Sequence, residues 1–106
     1  MTGNGNAVIR SLREPGEIDP TDVLTGPLRR ITRVHLADGQ SSRLTADGAE
    51  FTLFVLQGTG TAATAAAEVP LAYGVSVTVP LAAEVNITAG EQGLAYVLAE
   101  LTVEPA

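Results

Sequence analysis

The stretch GQSSRLTADGAEFTLFVLQG, Gly39 to Gly58, decides how this chain is read. Glycine stands at both ends, the hairpin dipeptide Asp47-Gly48 lies between, and both flanks are rich in residues that favour extended backbone. Strands are expected near 40–45 and 51–57. Outward from there the same pattern recurs near 28–36, 59–65, 68–72, 75–79, 84–88 and 94–103, each run bounded by Gly, Pro or Asp-Gly. Eight short strands without helical periodicity argue for an all-β sandwich or closed barrel.

Gly39 and Gly58 also fit a longer frame. The cupin family, small β-barrels, carries a first motif G-x5-H-x-H-x3-E-x6-G and a second, G-x5-P-x-G-x2-H-x3-N, and this chain resembles both in spacing. Thr45 and Asp47 fall at the two histidines, Phe51 at the glutamate and Gly58 at the closing glycine. In the second motif Gly74 and Pro80 agree, while Ala82 replaces the inner glycine, Val85 the histidine and Ala89 the asparagine. The resemblance covers roughly residues 28 to 103 and implies a jelly-roll barrel of two antiparallel sheets around a cavity. TAATAAAEV, residues 61 to 69, favours helix by its alanines, but a helix would break the spacing between the motifs.

With that register, alternation points Thr45 and Asp47 inward, together with Phe51, Leu53 and Val55 on the next strand and Val85 and Ile87 on the return strand. Tyr96, between Leu94 and Leu98, would place a hydroxyl inside. A transition metal needs three or four converging N, O or S donors, and this lining offers only Asp47 and Thr45. No metal and no other cofactor is expected. Glu50, beside Phe51, would face outward unless a β-bulge turned it in.

Asp47 is the one candidate acid or base, since a carboxylate held in an apolar barrel has a raised pKa. Its competing reading, as the first residue of a hairpin dipeptide at an exposed tip, is preferred. In PLRRITRVHL, residues 27–36, Arg29, Ile31, Arg33 and His35 share one strand face, and Arg33 with His35 would clamp an anion. The plainer reading has the arginines on an outer face, paired with Glu50, Glu84 or Glu100.

Composition narrows the function classes. The 106 residues suffice for one domain, and cysteine is absent, which removes disulfides and thiolate metal sites. All six basic residues are arginines between Arg10 and Arg43, while residues 44 to 106 hold seven acids and no base. At a net charge of −6, nucleic acid and anionic membrane surfaces are unexpected partners. Many alanines without lysine look like bacterial coding bias. Residues 1 to 26 read as an N-terminal extension to a barrel over 27 to 106, with an edge strand at Ala7 to Ile9 and a helical turn capped by Asp19 ahead of Pro20. No signal peptide or membrane span is visible there, so a cytoplasmic protein is expected. Asn86-Ile87-Thr88 and Gly58-Thr59-Gly60 are chance matches to a glycosylation sequon and a phosphate loop.

The expected function is a metal-free cupin-like barrel binding a small, largely apolar organic molecule in its interior, as a homodimer. The ligand would be lined by Arg33, His35, Thr45, Phe51, Leu53, Val85, Ile87 and Tyr96. Two alternatives stay open: a cofactor-independent isomerase, lyase or cyclase using Asp47, and a non-catalytic accessory subunit with a filled barrel.

Overall fold

The computed structural model describes residues 10–103. The edge strand expected at Ala7 to Ile9 lies outside them. Seven strands follow in order: β1 (Gly16–Ile18), β2 (Leu28–Leu36), β3 (Ser41–Thr45), β4 (Ala49–Ala63), β5 (Glu68–Leu71), β6 (Ser76–Val79) and β7 (Glu84–Thr102). Between β1 and β2, Pro20–Asp22 form a single 3-10 turn. Asp19 caps it as expected, its Oδ1 accepting from the Thr21 N–H at 2.9 Å and from the Thr21 hydroxyl at 2.6 Å, and these bonds hold its pKa below the usual carboxylate range.

Two long strands organise everything else. β4 and β7 run antiparallel along their whole lengths, and each serves both layers of the molecule. One layer is ordered β1, β2, the second half of β7, the first half of β4, then β6; the other is β3, the first half of β7, the second half of β4, then β5. Among the described residues all pairings are antiparallel and the sheet does not close. The sequence pattern suggested separate strands at 51–57 and 59–65, and at 84–88 and 94–103. Each pair is one strand bent at a corner, because Gly58 and Gly60 carry no Cβ where β4 crosses β7, and the Gly90–Gly93 segment bulges out of the opposite ladder. Residues 61 to 69 are not helical: Thr61 to Ala63 finish β4, Thr64 to Ala67 turn, and Glu68 opens β5.

Turn geometry matches the glycine spacing of both motifs. Gly39, Gly58 and Gly74 have φ of 77, 85 and 89°, and Ala82, at the position of the missing inner glycine, has φ of 73°. It is the one non-glycine with positive φ among the described residues. For an alanine that conformation costs about 1–2 kcal/mol. The surroundings over-determine it, since the Ala82 N–H donates to the Ala46 carbonyl and the Ala83 N–H to the Pro80 carbonyl, both at 2.9 Å. Ala82→Gly is therefore expected to stabilise the fold by about 0.5–1 kcal/mol, the relief of strain exceeding the extra chain entropy of glycine. Chemical denaturation measures it; a loss of stability would contradict the strain.

The core lies between the layers. Leu53, Val55, Leu94 and Tyr96 from one layer meet Leu44, Ala62, Val85 and Ile87 from the other.

Candidate functional site

Alternation along each strand decides what faces the interior. On β2 it is Thr32, Val34 and Leu36, which pair with Leu98, Tyr96 and Leu94 of β7; these in turn oppose Leu53, Val55 and Gly58 of β4. On the other layer, Leu44 pairs with Val85, and Ala62 with Ile87. Phe51, Leu53, Val85, Ile87 and Tyr96 thus converge in one cluster, where the sequence placed them. Its deep part is closed, with Phe51 half-buried at the rim. Tyr96 and Ile87 are 0 % exposed, Leu53 1 % and Val85 3 %. A cavity that admitted water would leave accessible surface on its walls, so the deep interior is packed by the protein's own side chains.

Thr45 and Asp47 do not join this cluster. Thr45 pairs with Glu84 on the outer face and is exposed, as is Asp47 at the hairpin tip beside Gly48 (φ 77°). The residues that turn inward are Leu44, 8 % exposed, and Ala46, 2 %. Family spacing placed the pair one residue too late, since the inward parity of β3 falls on Leu44, paired with Val85, and carries on to Ala46. A signal was available in the polarity pattern: Leu44 and Ala46 alternate with Arg43, Thr45 and Asp47, and alternation outranks motif spacing in a half-buried strand. Leu44→Asp is expected to cost at least about 3 kcal/mol as an unpaired buried charge, whereas Thr45→Asp stays within about 0.5 kcal/mol. Urea titration of the two variants discriminates the registers; equal costs would restore the motif spacing.

Glu50 pairs in register with Leu101, on the face opposite Phe51, and its Oε2 accepts from the Leu81 N–H at 2.9 Å. The two irregularities in this ladder lie farther along, at Val55/Gln57 and Gly58/Gly60, so no bulge turns Glu50 inward. Arg33 and His35 also lie on the outer face, across the sheet from Phe51, Leu53 and Tyr96. Arg33 donates from Nη1 to the Leu12 carbonyl at 3.0 Å, while His35 is exposed. They are not brought together with the interior cluster, since their parity along β2 is opposite to that of Val34.

The ion pairs partly follow the plainer reading of the arginines. Arg43 meets Glu84 at 3.0 Å on the outer face. Arg30 reaches Glu17 at 3.2 Å and Glu100 at 3.7 Å, at the end of the interior face beyond Leu98.

Ser42 was not singled out by the sequence, and no motif marks it. It stands on the inward parity of β3, and its side chain hydrogen-bonds that of Tyr96. Burial raises the Tyr96 pKa above 10.0, and the Ser42 hydrogen bond partly offsets the rise. With the folded-state pKa above the unfolded one, this contribution is whole below pH of about 10 and is lost as pH rises through the folded pKa. Tyr96→Phe should flatten the fall in stability above about pH 10 relative to the parent chain. Unchanged alkaline curves would place the phenol in water.

No protein-family model matches the sequence, and no curated protein matches it. Solved structures do. A Cupin 2 conserved barrel domain protein from Salinispora arenicola CNS-205 superposes with a TM-score of 0.76 over 92 % of both chains at 15 % identity. The fold of this chain is the cupin barrel. A cupin protein from Bacteroides fragilis gives 0.74 over 97 % of this chain and 92 % of its own at 14 % identity. A predicted oxalate decarboxylase from Thermotoga maritima gives 0.67 over 92 % and 100 % at 17 % identity.

On this cupin barrel, the inward positions nearest the motif's ligand positions hold Leu44, Ala46, Phe51 and Val85. None carries an N, O or S donor in its side chain. Among the described residues no three His, Cys, Asp or Glu side chains are grouped to hold an ion. The residues present do not fit the metal that the family motif implies. A concave region does exist outside the barrel, a depression of about 710 Å³ walled by Ala63, Ala66 and Ala82 with Arg43, Glu84 and Asn86 at its polar side. No helix among the described residues is long and apolar enough to cross a membrane.

Proposed function

We propose that this cupin barrel is a non-catalytic accessory protein whose interior is a structural core and whose work is done on its outer surface. The observation that carries the reading is the closure of the interior at Leu53, Val85, Ile87 and Tyr96, all 3 % exposed or less. An organic ligand there would have to displace close-packed side chains, at a cost of several kcal/mol. Acid–base chemistry by Asp47 lacks its premise, since the carboxylate stands exposed at a hairpin tip and not inside the apolar barrel.

A second reading keeps the small-molecule ligand and moves it to the alanine-walled depression. Its volume falls within the roughly 300–1,000 Å³ common for such sites, and Arg43 and Asn86 supply polar groups beside an apolar wall.

Thermal unfolding with chelator, with Fe, Mn, Ni and Zn, and with a panel of apolar organic compounds separates these. The accessory reading expects no shift beyond about 1 °C from any of them. A compound whose shift disappears in Asn86→Trp, which fills the depression, would support the second reading. Metal-dependent stabilisation, or a compound whose shift survives that substitution, would overturn both.

A further inference from the structure

The depression outside the barrel is walled by two turns whose polar groups are largely engaged already. In the turn after β4, the Thr64 hydroxyl accepts from the Ala66 and Ala67 N–H groups, each at 3.2 Å, and donates to the Ala67 carbonyl at 3.3 Å. In the turn before β7, the Ala82 and Ala83 N–H groups are bonded to the Ala46 and Pro80 carbonyls. These walls therefore offer a guest mainly methyl groups, from Ala65, Ala66, Ala82 and Ala83.

The polar side of the depression holds both signs of charge. Arg43 pairs with Asn86 across β3 and β7, and Asn86 with Ala63 across β7 and β4, so the three stand side by side on the outer face. Glu84 lies two residues before Asn86 on that face, and its Oε1 accepts from the Arg43 Nε at 3.0 Å. One carboxylate engages at most two of the five N–H donors of a guanidinium, so Arg43 keeps donors to spare. Glu84 keeps lone pairs, and the Asn86 amide adds both donors and an acceptor. The ion pair orients the planar guanidinium while the charges lining the depression cancel. A neutral site with spare donors and spare acceptors matches a ligand that carries both charges. An anion alone would be repelled by Glu84, and a cation alone by Arg43.

We propose that the depression binds the zwitterion of a small α-amino acid with an aliphatic side chain. Its carboxylate accepts from the Arg43 Nη groups and the Asn86 amide, its ammonium donates to Glu84, and its side chain lies against the alanine methyls. The volume of about 710 Å³ holds such a molecule with room for bridging water. The inference rests on the second reading above, which puts a small molecule in this depression, and adds its chemical class.

L-Leucine, isocaproate and isopentylamine share an aliphatic body and differ in charge, so NMR titration of the isotope-labelled chain with each is the test. L-Leucine should shift the Asn86 side-chain amide with a Kd of about 1 mM at low salt. Isocaproate and isopentylamine, each lacking one charge, should bind at least about 10-fold more weakly. Arg43→Gln and Glu84→Gln should each weaken L-leucine at least about 10-fold while the backbone spectrum stays that of the parent, since an exposed ion pair adds little stability. The two variants should differ on the single-charge probes, Glu84→Gln tightening isocaproate and Arg43→Gln tightening isopentylamine. Arg29→Gln, on β2 of the other layer, should change nothing. An Asn86 amide unmoved by L-leucine, or L-leucine affinity that survives Arg43→Gln, would overturn the proposal. Isocaproate or isopentylamine bound there as tightly as L-leucine would overturn the zwitterion and keep the depression as a small-molecule site. If neither these probes nor the apolar panel shifted Asn86, the second reading would fall as well.

Discussion

Gly58→Ala is expected to cost about 2–5 kcal/mol, lowering the melting temperature of a chain this size by about 8–40 °C. Gly58 sits where β4 leaves one layer for the other, with φ of 85°. A Cβ built there would lie 2.1 Å from the Gly93 carbonyl oxygen and 2.9 Å from its carbon, both backbone atoms of the strand it crosses. Two penalties add: the left-handed conformation, about 1–2 kcal/mol for an alanine, and the displacement of a packed strand, about 1–3 kcal/mol. Gly39→Ala is the control. Its φ is 77° with no atom within 4 Å of the new Cβ, so it carries the conformational penalty alone. Thermal unfolding by circular dichroism reads both variants, and equal losses would mean that the corner is not close-packed.

Tyr96→Ala is expected to cost about 3–5 kcal/mol and to give the barrel an interior that the natural protein lacks. The side chain is 0 % exposed and its hydroxyl is bonded to Ser42, so truncation removes a buried ring and leaves Ser42 without that partner. The void would be walled by Leu53, Val55, Ile87 and Leu94, apolar enough to stay dry and accept a benzene-sized guest. The expected sign is a melting temperature raised by benzene or indole in Tyr96→Ala and unmoved in the parent. If the alanine variant does not fold, Tyr96→Leu leaves a smaller void and the same sign. A parent chain stabilised as much as the variant would mean that the interior already holds a cavity.

How much of this was legible in the sequence differs from element to element. The strand-forming runs between turn residues gave the all-β reading, and the spacing of Gly39, Gly58 and Gly74 gave the barrel. Those glycines mark positive-φ turns, and turn geometry is local, independent of which side chains occupy the motif's ligand positions. Ala82 makes the same point in reverse, holding a glycine's conformation without being one. The long strands β4 and β7 were each divided in two because glycine reads locally as a stop. Only the opposing backbone at Gly93 and Thr88 makes Gly58 and Gly60 crossing points instead.

The interior was legible in part. Phe51, Leu53, Val85, Ile87 and Tyr96 lie inside as the motif register and alternation put them, while Thr45 and Asp47, read from the same register, lie outside, and Arg33 and His35 stand on the outer face of β2. A one-residue slip moves every side chain of a strand to its other face, so spacing borrowed from a family is weakest where it is used to name ligands. Whether the barrel was open or filled was not legible at all. That depends on how Tyr96, Leu53 and Ile87 meet in three dimensions, and bulk alone does not fix it.

The most direct test of a closed interior is an electron-density map of the purified protein at about 1.5 Å, a resolution that separates ordered water from side chain. The account predicts that density between the layers is accounted for by Leu44, Leu53, Val55, Val85, Ile87 and Tyr96 in single rotamers. Density for a metal, or for a co-purified organic molecule among those side chains, would contradict it.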